Sequence, residues 1–193
     1  MIHLRVTVMK LSDVDDKNLK GEQPEKLEEE KYDNEIYNVM ENNGVSKKAL
    51  VDTAMELFFS HPGLETQEKA ENIFTRELDI AFSDPNLCIL VYSGILLEKE
   101  GKAGTLPNLS KRSYEKDLSF IIADEVLGMS ISKYISGDKG MFEYVRFDKE
   151  KPGILTKLGP FMDDVVAGIV GGVSANMYTR AIAEINTSNE SNE

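Results

Sequence analysis

Two pairs of adjacent carboxylates stand in otherwise apolar sequence. Asp124-Glu125 lies inside the run from Phe120 to Met129, and Asp163-Asp164 inside the run from Gly159 to Val170. Ionised carboxylates rarely leave water unless they are paired or metal-bound, because desolvation of the charge is costly. A hard divalent cation would supply the partner, and an all-oxygen donor set suits magnesium or manganese, which keep octahedral geometry and several waters. Between the doublets runs Phe147-Asp148-Lys149-Glu150-Lys151-Pro152. Lys151 could meet a phosphate oxygen, and Asp148 could hold a metal or the lysine; a plain turn salt bridge explains the same two residues. His3 and His61 are the only histidines, so zinc sites and histidine-driven nucleophiles lose most of their support.

Adjacent residues on a helix diverge by about 100°, so one doublet cannot aim both carboxylates at a single atom. Two helices that each carry a doublet can surround a site from opposite sides. The face holding Asp164 continues through Gly168, Gly171, Gly172 and Ala175, and Gly128 lies one turn beyond Asp124. Small residues there would let two helices approach closely enough for short Asp side chains to share an ion. The dipole of a helix beginning at Pro160 could alone account for Asp163-Asp164, at about 0.3–1 kcal/mol. It does not account for Asp124-Glu125, which reads as mid-helix within Tyr114–Tyr134.

The elements that must position these groups read as helices. Ser46, Thr66 and Asp84 are suited to cap helices, with Pro85 at a first helical position. His61-Pro62-Gly63 closes the first of these helices, and His61 reads as a partner for helix-end carbonyls. Leu87 to Leu97 is apolar nearly all round, the pattern of a helix in the middle of a bundle. Gly137-Asp138-Lys139-Gly140 breaks the first carboxylate helix, a connection of about twenty residues follows, and a last helix spans Phe161 to about Glu184. Residues 2–8 alternate as a short strand, and residues 12–35 hold ten acids against four lysines. Asp13-Val14-Asp15-Asp16 lacks the glycine and closing glutamate of a calcium loop. The expected architecture is all-α: a helical bundle with a central apolar helix surrounded by others. Residues 1–35 form a loose acidic arm, 36–185 the helical domain, and 186–193 a disordered tail.

A chain of 193 residues suffices for one buried domain, and its net charge of −12 opposes binding to nucleic acid or anionic lipid. Cys88 is single and set in an apolar run, which excludes an internal disulfide and suggests a reduced setting. No signal-like start and no membrane-length apolar run is present, so a cytoplasmic protein without a membrane span is expected. Strand 2–8 could pair between copies in a homodimer.

Together the three motifs resemble the phosphatidylglycerophosphatase A family, whose pattern is an Asp-Glu doublet, then Phe-Asp-x-x-Lys-Pro, then Asp-Asp-x-x-x-Gly. Here these are Asp124-Glu125, Phe147 to Pro152, and Asp163-Asp164 through Gly168. Residues 118–180 carry the likeness closely, residues 40–100 less so, and 1–35 have no counterpart. The resemblance implies an all-helical, magnesium-dependent phosphomonoesterase. Asp124, Glu125, Asp163 and Asp164 would hold one or two Mg²⁺, with Mn²⁺ as a substitute. Asp148 would be a further ligand or a base, and Lys151 would neutralise the phosphoryl group, with Asp164 also serving catalysis. Water could attack directly, or an acid could form an aspartyl-phosphate. Membrane-spanning members act on phosphatidylglycerophosphate. Soluble archaeal members with Lys-Pro-Gly-Ile-Leu and Leu-Gly-Pro-Phe-x-Asp-Asp are more similar to this chain. They are associated with removal of the 5′-phosphate of α-ribazole phosphate in cobalamin (vitamin B12) biosynthesis. The partner implied is a small-molecule phosphate ester. The alternatives are the lipid phosphatase and a non-catalytic helical metal-binding interaction module.

Overall fold

Local capping starts most of the helices. The computed structural model describes residues 35–117 and 121–190; strand 2–8 and nearly all of the acidic arm lie outside the described residues. Among the described residues the elements are α1 (Ile36–Glu41), α2 (Lys47–Glu56), α3 (Gln67–Phe82), α4 (Pro85–Ala103), α5 (Lys111–Glu115), α6 (Ala123–Glu150) and α7 (Pro160–Glu190), with one 3₁₀ turn at Gly153–Lys157. No strand occurs among them, and the all-α expectation holds. The Ser46 hydroxyl accepts from Ala49 N at 3.1 Å, Thr66 from Lys69 N at 3.2 Å and Asp84 from Asn86 N at 2.8 Å. Each satisfies a helix-end donor that would otherwise lack a partner.

The central apolar helix is α7. From Phe161 to Ala175 every residue except Asp163 is buried. The all-round apolarity of 87–97 points instead to α4, which leaves Ile89, Tyr92 and Leu96 at 65%, 44% and 43% exposure. Size decides between them. Glycines let neighbouring backbones crowd α7, whereas α4 buries mainly the face of Leu87, Val91, Gly94, Ile95 and Glu98. His61 forms a bridge with Leu64 and its Nδ1 lies 2.8 Å from the Pro62 carbonyl, so it serves a local turn beyond α2.

Two expectations around α6 need correction. The helix does not run from Tyr114: α5 ends at Glu115, Asp117 has φ 45°, and α6 begins only at Ala123. Tyr114 instead packs on Gly101 of α4, where a Cβ would meet its ring, and stacks on Phe161 at 6.3 Å. The long connection after Gly137 is itself helical. Ser136 and Gly137 adopt non-helical angles (Gly137 φ 63°, ψ −147°), and the chain doubles back as a return half over 138–150. Gly140 then lies against the Ser132 carbonyl and Tyr144 against Gly128, which makes the two halves antiparallel. Gly140, Tyr144 and Phe147, all buried, carry the i, i+4, i+7 spacing of a packed helix face.

The doubling back sets the site. It brings the start of α6, the end of its return half and the start of α7 to one end of the bundle. Contacts from α2 fix the chain that follows α6: Gly153 N donates to Glu56 Oε2 at 2.8 Å and Ile154 N to Thr53 Oγ1 at 3.1 Å. Arg146 Nη1 donates to the Leu57 carbonyl at 2.7 Å and ties the return half to the end of α2. Helix α7 continues to Glu190, past the point where a tail is expected.

Candidate active site

Asp124, Glu125 and Asp163 occupy first helical turns, and Asp164 follows directly. Asp124 and Glu125 follow an N-cap residue, Ile122, that makes no side-chain cap, and Asp124 Oδ1 accepts from Glu125 N at 3.0 Å. Asp163 Oδ1 accepts from Asp164 N at 2.8 Å in the first turn of α7. The helix dipole therefore favours Asp163 and the whole of the pair that reads as mid-helix in the sequence. What it does not explain is their convergence. Asp124, Glu125 and Asp164 each offer an oxygen within 4.8 Å of the others, a grouping that could hold a metal ion.

Burial makes that convergence costly without a cation. Asp124 is 2% and Asp164 4% exposed, and Glu125 Oε2 is buried with no hydrogen-bond partner. Burial, then Glu125 and Asp164 nearby, push the Asp124 carboxyl up to about 8. Burial, then the charge of Asp163, push Asp164 up to about 7 against the opposing Tyr144 hydrogen bond. An all-oxygen set with an orphaned buried carboxylate oxygen fits a hard cation such as Mg²⁺ or Mn²⁺.

The other acidic residues form a separate, adjoining group. Lys151 Nζ lies 2.7 Å from Asp148 Oδ1 and 2.7 Å from Asp163 Oδ2. Burial works to lower the Lys151 pKa, but the two carboxylates win and hold the ammonium charged, above the ordinary lysine range. Lys151 sits at the C-cap of α6 with φ 45°, a left-handed conformation that usually selects glycine. Glycine there would lose the cation that bridges the two carboxylates. Asp163 thus faces Lys151 and lies outside the three-carboxylate group, whereas the sequence motifs place it among the ligands.

Two residues that sequence reasoning passes over complete the arrangement. The Tyr144 hydroxyl donates to Asp164 Oδ1 at 2.6 Å; its signal is the i, i+4 relation to Asp148 on one helix face. Glu98, 5% exposed, accepts from Phe161 N at 3.2 Å and pairs with Lys102 at 2.8 Å, so it pins the start of α7. Gly159 is required beside it, since a Cβ there would collide with the Glu98 carboxylate.

A family model described as phosphatidylglycerophosphatase A matches residues 46–179, which takes in all three motifs. The chain belongs to that family. As a member of the phosphatidylglycerophosphatase A family it carries a phosphatase-type function. It is 31% identical over 134 residues to the uncharacterized protein MJ1330 of Methanocaldococcus jannaschii, covering 66% of this chain and 99% of that relative. YutG of Bacillus subtilis, also uncharacterized, is 34% identical over 99 residues, covering 47% of this chain and 59% of YutG. Solved structures agree on the fold. The low temperature requirement C protein of Listeria monocytogenes superposes with TM-score 0.65 at 24% identity, covering 76% of this chain and 94% of that one. A protein of unknown function from Bacillus stearothermophilus gives 0.63 at 25% identity, covering 75% and 92%. Among the described residues no single helix is long and apolar enough to cross a membrane, and α3 with α4 passes that test only jointly, across a 91° bend.

The buried acids set the sign of a pH effect. Folded Asp124 and Asp164 keep protons to about 8 and about 7, against an ordinary aspartate value of about 3.9. Between roughly pH 4 and 8 the folded state therefore binds more protons than the unfolded one, and stability falls as pH rises through that window. Thermal melts in chelator should show Tm declining from pH 5 to pH 8. Added Mg²⁺ should raise Tm more at pH 8 than at pH 5, because the cation replaces protons. A stabilisation by Mg²⁺ that is equal at both values would contradict the cluster's role.

Proposed function

We propose that this chain is a magnesium-dependent phosphomonoesterase acting on a small soluble phosphate ester, α-ribazole 5′-phosphate in cobalamin biosynthesis foremost. The observation that carries the phosphatase reading is the three-carboxylate group beside a charged Lys151, at one end of the bundle. A divalent cation in the group would polarise the phosphoryl group and make an attacking water more acidic. Asp124, Glu125 and Asp164 would hold that cation. Lys151 would turn its ammonium from Asp148 and Asp163 toward the phosphoryl oxygens, and Asp148, thereby freed, would accept a proton from water.

The choice of α-ribazole phosphate rests on the motifs Lys151-Pro152-Gly153-Ile154-Leu155 and Leu158-Gly159-Pro160-Phe161 ahead of Asp163-Asp164, which are similar to those of soluble archaeal members. A second reading, phosphatidylglycerophosphate, is favoured by the apolar residues that bracket the first doublet, Ile122 and Val126, 61% and 51% exposed.

A panel of phosphate esters with Mg²⁺ tests both. The expected result is phosphate release from α-ribazole phosphate and its loss, by about 10²-fold or more, on chelation. Release from phosphatidylglycerophosphate alone would replace the first substrate with the second. Equal hydrolysis in excess chelator would remove the cation from the scheme.

A further inference from the structure

Tyr144 occupies a slot with no slack. A Cβ on Gly128 would lie 2.7 Å from Tyr144 Cε2, and one on Gly171 2.6 Å from its backbone nitrogen. The residue is 2% exposed, and its hydroxyl donates to Asp164 Oδ1 at 2.6 Å. Burial, reinforced by Asp164, holds the phenol well above its ordinary pKa, so it stays a neutral donor. One oxygen of Asp164 therefore already accepts a strong hydrogen bond. Asp124 Oδ1 is likewise engaged by Glu125 N at 3.0 Å, so two of the three converging carboxylates each have an oxygen already satisfied within the protein.

Cations differ in what they ask of such carboxylates. Calcium takes six to eight oxygens and often grips a carboxylate through both, whereas magnesium demands six near-octahedral oxygens and keeps several waters. A carboxylate with one oxygen already held by a hydrogen bond is a poorer two-oxygen grip, which handicaps the first more than the second.

We propose that Tyr144 is a positioning residue that sets cation selectivity: by hydrogen-bonding Asp164 Oδ1 it disfavours a two-oxygen grip by Asp164 and biases the group toward magnesium or manganese over calcium. The inference rests on the cation-binding reading of Asp124, Glu125 and Asp164, and goes beyond it in naming what discriminates between ions. The close packing gains a purpose, since Gly171 crowds the backbone of Tyr144 and Gly128 its ring, which together hold the hydroxyl on Asp164.

The test is calorimetric titration of the full chain, stripped with chelator, with Mg²⁺, Mn²⁺ and Ca²⁺ in turn. The parent should bind Mg²⁺ and Mn²⁺ more tightly than Ca²⁺. Tyr144→Phe, checked for helicity, should lose about tenfold in Mg²⁺ affinity, the scale of a hydrogen bond to a charged group. Its Ca²⁺ affinity should hold or improve, so that the ratio of the two collapses. A Tyr144→Phe protein that binds Mg²⁺ and Ca²⁺ in the parental ratio, within about twofold of it, overturns the proposal and leaves the cation site standing. Should the variant fail to fold, the parent still decides, because equal or tighter Ca²⁺ binding by the parent overturns the proposal. A parent that binds none of the three ions removes the cation reading and this inference with it.

Discussion

Asp164→Asn should abolish phosphate release while leaving the helices in place. Asparagine keeps the shape of the side chain, and its amide oxygen can still accept from the Tyr144 hydroxyl now donating to Oδ1. What is lost is the negative charge on the one acid of α7 in the converging group. Residues that merely support a metal ligand cost about 10–100-fold when changed, so loss of a ligand itself should exceed about 10²-fold. The same variant should melt no lower than the parent at pH 8 without divalent cation, because one of the crowded buried acids is gone. It should also gain little Tm from Mg²⁺. Hydrolysis within about tenfold of the parent, with the fold intact, would take Asp164 out of the site.

Gly168→Leu should destabilise the bundle most. A Cβ at Gly168 falls within collision distance of the Gly128 carbonyl oxygen and lies 3.2 Å from Gly128 Cα. On the other side, a Cβ at Gly128 would lie 2.5 Å from the Asp164 carbonyl oxygen. Backbone faces backbone at this crossing, so no side chain can rotate away, and α6 must shift from α7. Overpacking of this kind costs about 1–3 kcal/mol, or more where nothing yields, and each kcal/mol lowers Tm by about 2–4 °C in a domain of this size. Because the crossing lies one turn from Asp164, activity should fall further than the lost stability alone implies. A melt unchanged to within about 2 °C would mean that the helices do not meet there.

Much of this site is legible because its signals are local. Ser46, Thr66 and Asp84 act on donors two or three residues away, and they cap the helices their positions suggest. The stripe from Asp164 through Gly168, Gly171 and Gly172 also reads correctly, because only helix-on-helix contact rewards small residues at that spacing. The return half of α6 hides its periodicity. Asp138, Lys139, Glu143, Arg146, Asp148, Lys149 and Glu150 dominate its composition, while the buried Gly140, Tyr144 and Phe147 are sparse among them. The break ahead of α6 goes with a long-range contact, the packing of Tyr114 of α5 on Gly101 and Phe161. Nothing near Asp124 in sequence announces that break. The division of labour within Asp163-Asp164 is equally hidden, since which acid meets Lys151 and which meets Tyr144 depends on how α7 is rotated.

The reversal at Ser136–Gly137 offers a handle on the molecule. All the acids of interest cluster at one end, and the turn lies twelve helical residues from Asp124, about 18 Å away at 1.5 Å per residue. Gly137 has open space where a side chain would project, and residues 137–139 are exposed. A reporter, an affinity tag or a surface tether inserted between Gly137 and Asp138 would leave the opposite, acidic end unobstructed. A protein immobilised in that way would present its chemistry outward to substrate.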